Sequence, residues 1–207
     1  MVRSKLIPPA EREAFGYRVI AETREAFCVP TLGPIIEGHC LVFSRRSVLN
    51  LTLLDAVERK GYAEMVRAMA ELVETAYGPS VVFEHGAVER GDRIGCGVDR
   101  AHLHVLPGVE LSRVLAVLDT KHRRIGEWAT FSEWLTSAPP ADRPYILIGS
   151  TGDEVLMYEY CGPRESQCVR RIVASLVGRP DSWDWREAKD DHIMERTLET
   201  LRGAAVE

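Results

Sequence analysis

The chain predicts an α+β fold, an antiparallel sheet with helices packed against it and a smaller α+β extension at the C-terminal end. Three observations carry this. A hairpin pattern over residues 16–34 runs into a third, more apolar strand. One long stretch, residues 55–77, has apolar residues at helical spacing. The segment Ala138-Pro139-Pro140-Ala141-Asp142-Arg143-Pro144 then interrupts the pattern before a second hairpin and two helical stretches. At 207 residues and 45% hydrophobic content, the chain can build a full core without staples. The expected division is a core domain over 1–137 and an extension over 144–207.

In order, Tyr17-Arg18-Val19-Ile20-Ala21-Glu22-Thr23 and Ala26-Phe27-Cys28-Val29 read as two strands joined by a charged turn. Past Gly33-Pro34, His39-Cys40-Leu41-Val42-Phe43 is apolar enough for a central strand. Tyr62, Met65, Val66, Met69, Leu72, Val73 and Ala76 make one face of a helix that Gly78-Pro79 ends. Val81-Val82-Phe83 and Leu103-His104-Val105 are two more strands, separated by a polar loop over 86–93. A second helix is expected from about Glu110 to Arg124, with Leu111, Val114, Leu115 and Leu118 on one face. In the extension, Tyr145-Ile146-Leu147-Ile148 and Val155-Leu156-Met157-Tyr158 flank glycine-containing turn chemistry, and helices are expected near 164–177 and 187–201.

A net charge of −5 argues against a dedicated nucleic-acid binder. The chain has no apolar run of membrane-spanning length, and Pro8-Pro9 breaks its N-terminus too early for a signal peptide, so a cytoplasmic location is expected. Cys28, Cys40, Cys96, Cys161 and Cys168 contain no C-x-x-C pair, and reduced thiols are the default.

The chemistry concentrates in Ala101-His102-Leu103-His104-Val105-Leu106-Pro107, just after Gly95-Cys96-Gly97. Two histidines two residues apart on a strand share a face, with Cα atoms about 6.5–7 Å apart. Such a pair also serves structural or metal-binding roles. A third zinc ligand at conventional spacing is missing, so no metal or other cofactor is expected. Cys96 sits in the glycine turn, but the only bases in its sequence neighbourhood are these histidines.

Three features accompany the pair: Pro34-Ile35-Ile36-Glu37-Gly38-His39-Cys40-Leu41-Val42 leading into a central strand, Phe83-Glu84-His85-Gly86 at a strand end, and the glycine turn. In this order and spacing, over about residues 17–110, the chain resembles the histidine-triad (HIT) superfamily of nucleotide hydrolases and transferases. The resemblance implies an antiparallel sheet, usually five-stranded, and cleavage of a phosphoanhydride or phosphoramidate bond at a nucleoside 5′-phosphate. It makes His102 the nucleophile that carries a covalent nucleotidyl group, and His104 a phosphate ligand. It also implies backbone donors from Gly95, Cys96 and Gly97 and a ribose contact from Thr31, which by its own sequence context reads equally as a turn threonine. A nucleotide or nucleotide conjugate is the implied substrate, and a homodimer one implied assembly.

The chain departs from the family pattern at Arg100, which stands where the first histidine of the triad falls. An arginine there clamps phosphate or braces the motif, or else marks lost activity, leaving a nucleotide-binding protein without turnover. Glu84 stands where relatives place an amide near the α-phosphate; it either pairs with Arg100 or receives an amine or hydroxyl of an unusual substrate. Ser47 replaces a peripheral histidine. His39 is read as structural, and His85, His122 and His192 as solvated. In the extension, Ser166, Gln167 and Arg170 are candidates for phosphate or acceptor contacts, which would suit a phosphorylase or nucleotidyltransferase with a non-water acceptor. Trp183 and Trp185 are read as packing the extension on the sheet.

Overall fold

The computed structural model describes residues 15–95, 98–150, 154–161, 163 and 165–204. Eight strands form one sheet: β1 (Ala21–Glu22), β2 (Ala26–Pro30), β3 (Cys40–Ser44), β4 (Ser80–Gly86), β5 (His102–Pro107), β6 (Arg123–Trp128), β7 (Tyr145–Ser150) and β8 (Val155–Glu159). Their order is β1-β2-β3-β5-β4-β7-β8-β6, with every neighbouring pair antiparallel. The five strands before residue 111 are contiguous in the sheet, and the three later ones widen it beyond β4. Thus the extension has the expected hairpin, but its strands continue the core sheet through the β4–β7 pairing of residues 81–86 with 145–150.

Five α-helices lie among the described residues: α1 (Ala56–Tyr77), α2 (Leu111–Lys121), α3 (Phe131–Ser137), α4 (Cys168–Leu176) and α5 (Asp191–Ala204). α1 begins in a capping box. The Asp55 side chain accepts from the backbone N–H of Val57 and Glu58, and Glu58 accepts from that of Asp55. Its apolar stripe, Tyr62, Met65, Val66, Met69 and Val73, packs on Cys28, Cys40, Val42, Val82, Leu103, Val105 and Leu147 of the sheet. The opposite face carries Val81, Phe83, Leu106, Ile146 and Ile148 under α2 and α4. A smaller cluster of Val19, Phe27, Val29 and Phe43 lies at the β2–β3 end. Each strand feeds both layers by simple alternation.

Three expectations need correction. The first strand shortens to Ala21–Glu22 because Gly16–Arg18 is a 3₁₀ turn, held by Arg202 of α5, which donates to the carbonyls of Tyr17 and Val19. The second helix stops at Lys121, and Arg123–Trp128 is strand β6, paired with β8. Its mostly exposed, charged sequence suits an edge strand and gives no apolar signal. α3 also went unpredicted; Thr130 caps it, and Phe131, Trp134 and Leu135 bury it beside α1. Arg59 of α1 ties this region down by donating to the carbonyls of Thr52, Leu54, Leu135 and Ala138.

Candidate functional site

The strand register brings the histidines together. Phe43 stands opposite His102 and Leu41 opposite His104 on β3, while Phe83 stands opposite His104 on β4. Paired residues share a sheet face, and alternation then adds His39 and His85 to that same face.

His102 sets its Nδ1 2.7 Å from the carbonyl oxygen of Arg100. Only a protonated Nδ1 can make that bond, so in the neutral ring Nε2 keeps its lone pair. A second chain of contacts fixes His104. The Ile35 N–H donates to Nδ1 of His39 at 3.4 Å, and Nε2 of His39 lies 3.0 Å from Nδ1 of His104. With its Nδ1 accepting, His39 must donate from Nε2, so His104 accepts at Nδ1 and carries its hydrogen on Nε2. That Nε2–H is buried and has no hydrogen-bond partner among the described residues. Phe83 stacks on the His104 ring at 4.3 Å and 7°, which holds its plane.

Burial keeps these rings neutral. It is the largest influence on His39, His85, His102 and His104, lowering all four pKa values, that of His85 to about 3. The Arg100 carbonyl partly offsets this at His102, and the charge of Arg170 adds to the lowering.

A cavity of about 100 Å³ opens over His102 and His104, bounded also by Phe15, Arg18, Thr31, Leu32, Leu41, Phe43, Val98, Arg170 and Trp185. Arg18 and Arg170 are 5% and 1% exposed, and among the described residues no carboxylate borders the space. Two buried guanidiniums beside neutral imidazoles make an electropositive pocket suited to an oxyanion. Arg170 also anchors the extension, donating to the carbonyls of Gly33, Ser182 and Trp183.

The structure brings His102, His104, Thr31 and Arg170 to one cavity. It places the other expected residues elsewhere. The Arg100 guanidinium donates to the carbonyls of Ser44 and Arg45 and lies over the Phe27 ring, contacts of the bracing kind, while its backbone oxygen meets the His102 ring. Glu84 alternates onto the α1 face. There its carboxylate accepts from the Leu51 N–H at 2.9 Å and the Tyr145 hydroxyl at 2.5 Å, so neither the Arg100 pairing nor a substrate contact holds. Gln167 is fully buried, with its amide engaged by Asp184 and the Trp185 N–H. Ser166 borders a neighbouring cleft. Gly95 ends the 3₁₀ turn Arg93–Gly95, while Cys96 and Gly97 lie outside the described residues.

His39 proves more than a strand-start residue because it sets the His104 tautomer. His85 is buried rather than solvated, accepting from the Val169 N–H at the start of α4. His122 is half-buried between the Cys168 thiol and the Cys161 N–H, whereas His192 is exposed beside Arg196. Arg18 and Trp185 went unassigned to the pocket. Trp185 arrives through the close approach of the extension, where a Cβ on Gly33 would lie 2.4 Å from its Cα, and Arg18 through a bond to the Pro30 carbonyl, neither of which a local sequence pattern marks. No cluster of three or more His, Cys, Asp or Glu side chains among the described residues is placed to hold a metal ion.

This central sheet with its paired histidines is that of a HIT domain, whose family model matches residues 15–111. The match is to the HIT domain itself and spans just under half of the chain. Among solved structures it is similar to a HIT-like protein involved in cell-cycle regulation from Bartonella henselae, at 13% identity and a TM-score of 0.43, covering 90% of this chain and 84% of that one. It is likewise similar to a hypothetical histidine triad nucleotide-binding protein from Sulfolobus tokodaii, at 12% identity and a TM-score of 0.43, covering 90% and 82%. No curated protein matches the chain. No helix among the described residues is long and apolar enough to cross a membrane.

Proposed function

We propose that the protein is a nucleotidyl hydrolase or transferase that works through a covalent nucleotidyl-histidine at His102. The supporting observation is the complementary pair of tautomers: a free lone pair on Nε2 of His102 beside a buried, unpartnered N–H on Nε2 of His104. The His102 lone pair attacks the α-phosphorus, an N–P bond forms, and the bond to the leaving group breaks with its electron pair departing on that group. His104 donates to a non-bridging oxygen, and the Arg18 and Arg170 guanidiniums offset the charge gathered on the phosphoryl group. Water or another acceptor then attacks the phosphorus: a P–O bond forms, the N–P bond breaks with its electron pair returning to Nε2 of His102, and the acceptor's proton passes to solvent. The Arg100 carbonyl and His39 act as positioning groups, each fixing one tautomer. Four described cysteines, Cys28, Cys40, Cys161 and Cys168, are free thiols, which suits action in a reducing cytoplasm.

A second reading is a nucleotide-binding protein without turnover. It is favoured by the Arg100 guanidinium, bonded to backbone in place of a proton-relaying imidazole. One experiment separates them: incubation with dinucleoside polyphosphates and nucleoside phosphoramidates, with mass spectrometry for a nucleotidylated protein. Turnover that disappears in His102→Ala, together with a trapped adduct on the native chain only, supports the covalent mechanism. Equal turnover in both proteins removes His102 as nucleophile, and binding without turnover supports the second reading.

A further inference from the structure

Among the four histidines of the site face, His85 has no part in the chemistry above. It stands beside His104, with ring centres 6.1 Å apart and planes at 86°, yet it does not border the cavity. Its Nε2 instead accepts from the Val169 N–H at 3.1 Å. Val169 is the second residue of α4, so its N–H is one of the four at a helix start that have no carbonyl partner within the helix. A side chain at the N-cap position ordinarily fills that need. Here it does not. Gln167, the N-cap residue, is left-handed (φ 58), makes no side-chain capping bond, and commits its amide to Asp184 and the Trp185 N–H. The cap comes from β4 instead, 84 positions earlier in the chain.

This bond crosses from the segment that the HIT family model matches, residues 15–111, to the extension. The residue after Val169 is Arg170. Its guanidinium donates to the carbonyls of Gly33, Ser182 and Trp183 and borders the cavity over His102 and His104. Those carbonyls fix the far end of the side chain, and His85 fixes the backbone that carries it. Such precision matters, since a misplacement of about 1 Å in a group that meets substrate costs on the order of a hundredfold in rate.

The chemistry of the cap matters as well as its presence. With Nε2 accepting, the neutral ring carries its hydrogen on Nδ1. Burial above all holds its pKa down to about 3, so the ring stays neutral and able to accept across the neutral range. A carboxylate could accept the same N–H, but its charge would oppose an incoming phosphate and compete for Arg170. A neutral acceptor caps the helix and leaves the cavity electropositive.

We propose that His85 is a positioning residue, whose neutral Nε2 caps α4 against β4 and so sets Arg170 over His102 and His104 to receive phosphate. The proposal rests on Arg170 as a phosphate-facing group of the histidine cavity, and His85 acts through that residue.

The test uses the whole protein and inorganic phosphate, with binding followed by calorimetry in the native chain, His85→Leu, His85→Gln, Arg170→Met and His85→Leu/Arg170→Met. His85→Leu raises the phosphate Kd at least about fivefold, and His85→Gln, whose amide oxygen is a neutral acceptor, restores most of that loss. Adding His85→Leu to Arg170→Met changes the Kd by less than about twofold, because the two residues act in one chain of contacts. An unchanged Kd in His85→Leu, or an effect that adds in full to that of Arg170→Met, overturns the positioning role and leaves the reading of the cavity standing. A native chain that binds no phosphate, or an Arg170→Met variant that binds it as tightly as the native chain, overturns the reading of Arg170 and this proposal with it. Hydrogen exchange of the native protein tests the same coupling without a variant. By reciprocity, saturating phosphate slows exchange at the Val169 amide more than at the Leu51 amide, which is bonded to Glu84 on the opposite face. Equal slowing at the two amides overturns the proposal.

Discussion

The two faces of the central sheet bury polar groups on opposite terms. Under α1, the polar groups around Glu84 and Tyr62 are satisfied within the fold, although the Trp134 indole N–H in the same layer has no partner among the described residues: Glu84 accepts from the Leu51 N–H and the Tyr145 hydroxyl, and the Tyr62 hydroxyl donates to the Val42 carbonyl while accepting from the Leu103 N–H. On the other face, His104 keeps a buried N–H with no partner among the described residues, and the buried Arg18 and Arg170 border a cavity to which no described carboxylate contributes. A closed network holds the fold together, whereas an open one waits for a ligand. Polarity and burial alone do not separate the two networks; an unsatisfied donor that also lines a cavity, as His104 does and Trp134 does not, separates them.

The sharpest way to break the comparison is to remove one group from each face. His102→Ala is expected to lower turnover at least about a thousandfold, as loss of an attacking nucleophile does, with little change in melting temperature. Glu84→Ala should do the reverse. It strands a buried N–H and a buried hydroxyl, costing on the order of 2–4 kcal/mol of stability, while activity per folded molecule stays close to native. Comparable activity losses in the two variants would show that the faces are not functionally distinct.

The pH dependence of the two faces should also differ in sign. Burial lowers the pKa of His39, His85, His102 and His104. The unfolded chain therefore takes up protons below about pH 6.5 that the folded chain refuses. The stability involved is fully present above that value and is lost as pH falls through the window toward the folded values. Burial instead pushes Glu84 up to about 8. The folded protein then holds a proton that the unfolded chain releases above about pH 4.5, so this contribution is present at low pH and is lost as pH rises through 8. Denaturation curves of native protein and Glu84→Gln from pH 5 to 9 should diverge in favour of the variant as pH rises, by on the order of a few kcal/mol. Activity should follow the site face. Its acid limb, set by protonation of the His102 lone pair, falls below the usual histidine range of about pH 6.5.

Two smaller effects sharpen the picture of the open face. Gly33→Ala places a Cβ 2.4 Å from the Trp185 backbone, so the extension must shift; a loss of about 1–3 kcal/mol and a raised KM are expected from chemical denaturation and steady-state kinetics. Arg100→His leaves the carbonyl that holds His102 in place but removes the guanidinium contacts with residues 44 and 45. A modest loss of stability should accompany any change in turnover, and unchanged kinetics would confine Arg100 to its backbone role.

Much of the site was legible along the chain because a strand's two-residue period is a local rule. His102 and His104 had to share a face, and the α1 stripe and its cap signals marked the longest helix correctly. The errors came from residues whose side depends on register. Glu84 lies between Phe83 and His85, and alternation says only that it opposes both. That Phe83 faces His104, which sends Glu84 under α1, is decided by the β4–β5 pairing. For Arg100 the sequence left phosphate clamping and bracing of the motif both open, because its charge was visible and its partners, the carbonyls of residues 44 and 45 at the end of β3, were not; those bonds are of the bracing kind. β6 and α3 were missed for a related reason: an edge strand and a short capped helix need little apolar pattern of their own once neighbours cover them.

By itself the sequence determined the α+β class, the helix over Ala56–Tyr77 and the pair of histidines on one strand face, since periodicity, capping and alternation act between near neighbours. Tertiary structure alone decided which nitrogen of each imidazole is free, that Arg18, Arg170 and Trp185 close over them, and that Glu84 belongs to the opposite face. Those outcomes rest on strand register and on contacts between residues up to 185 positions apart, such as the Arg202 guanidinium on the Tyr17 carbonyl. Neither propensity nor spacing encodes such contacts until the chain has folded.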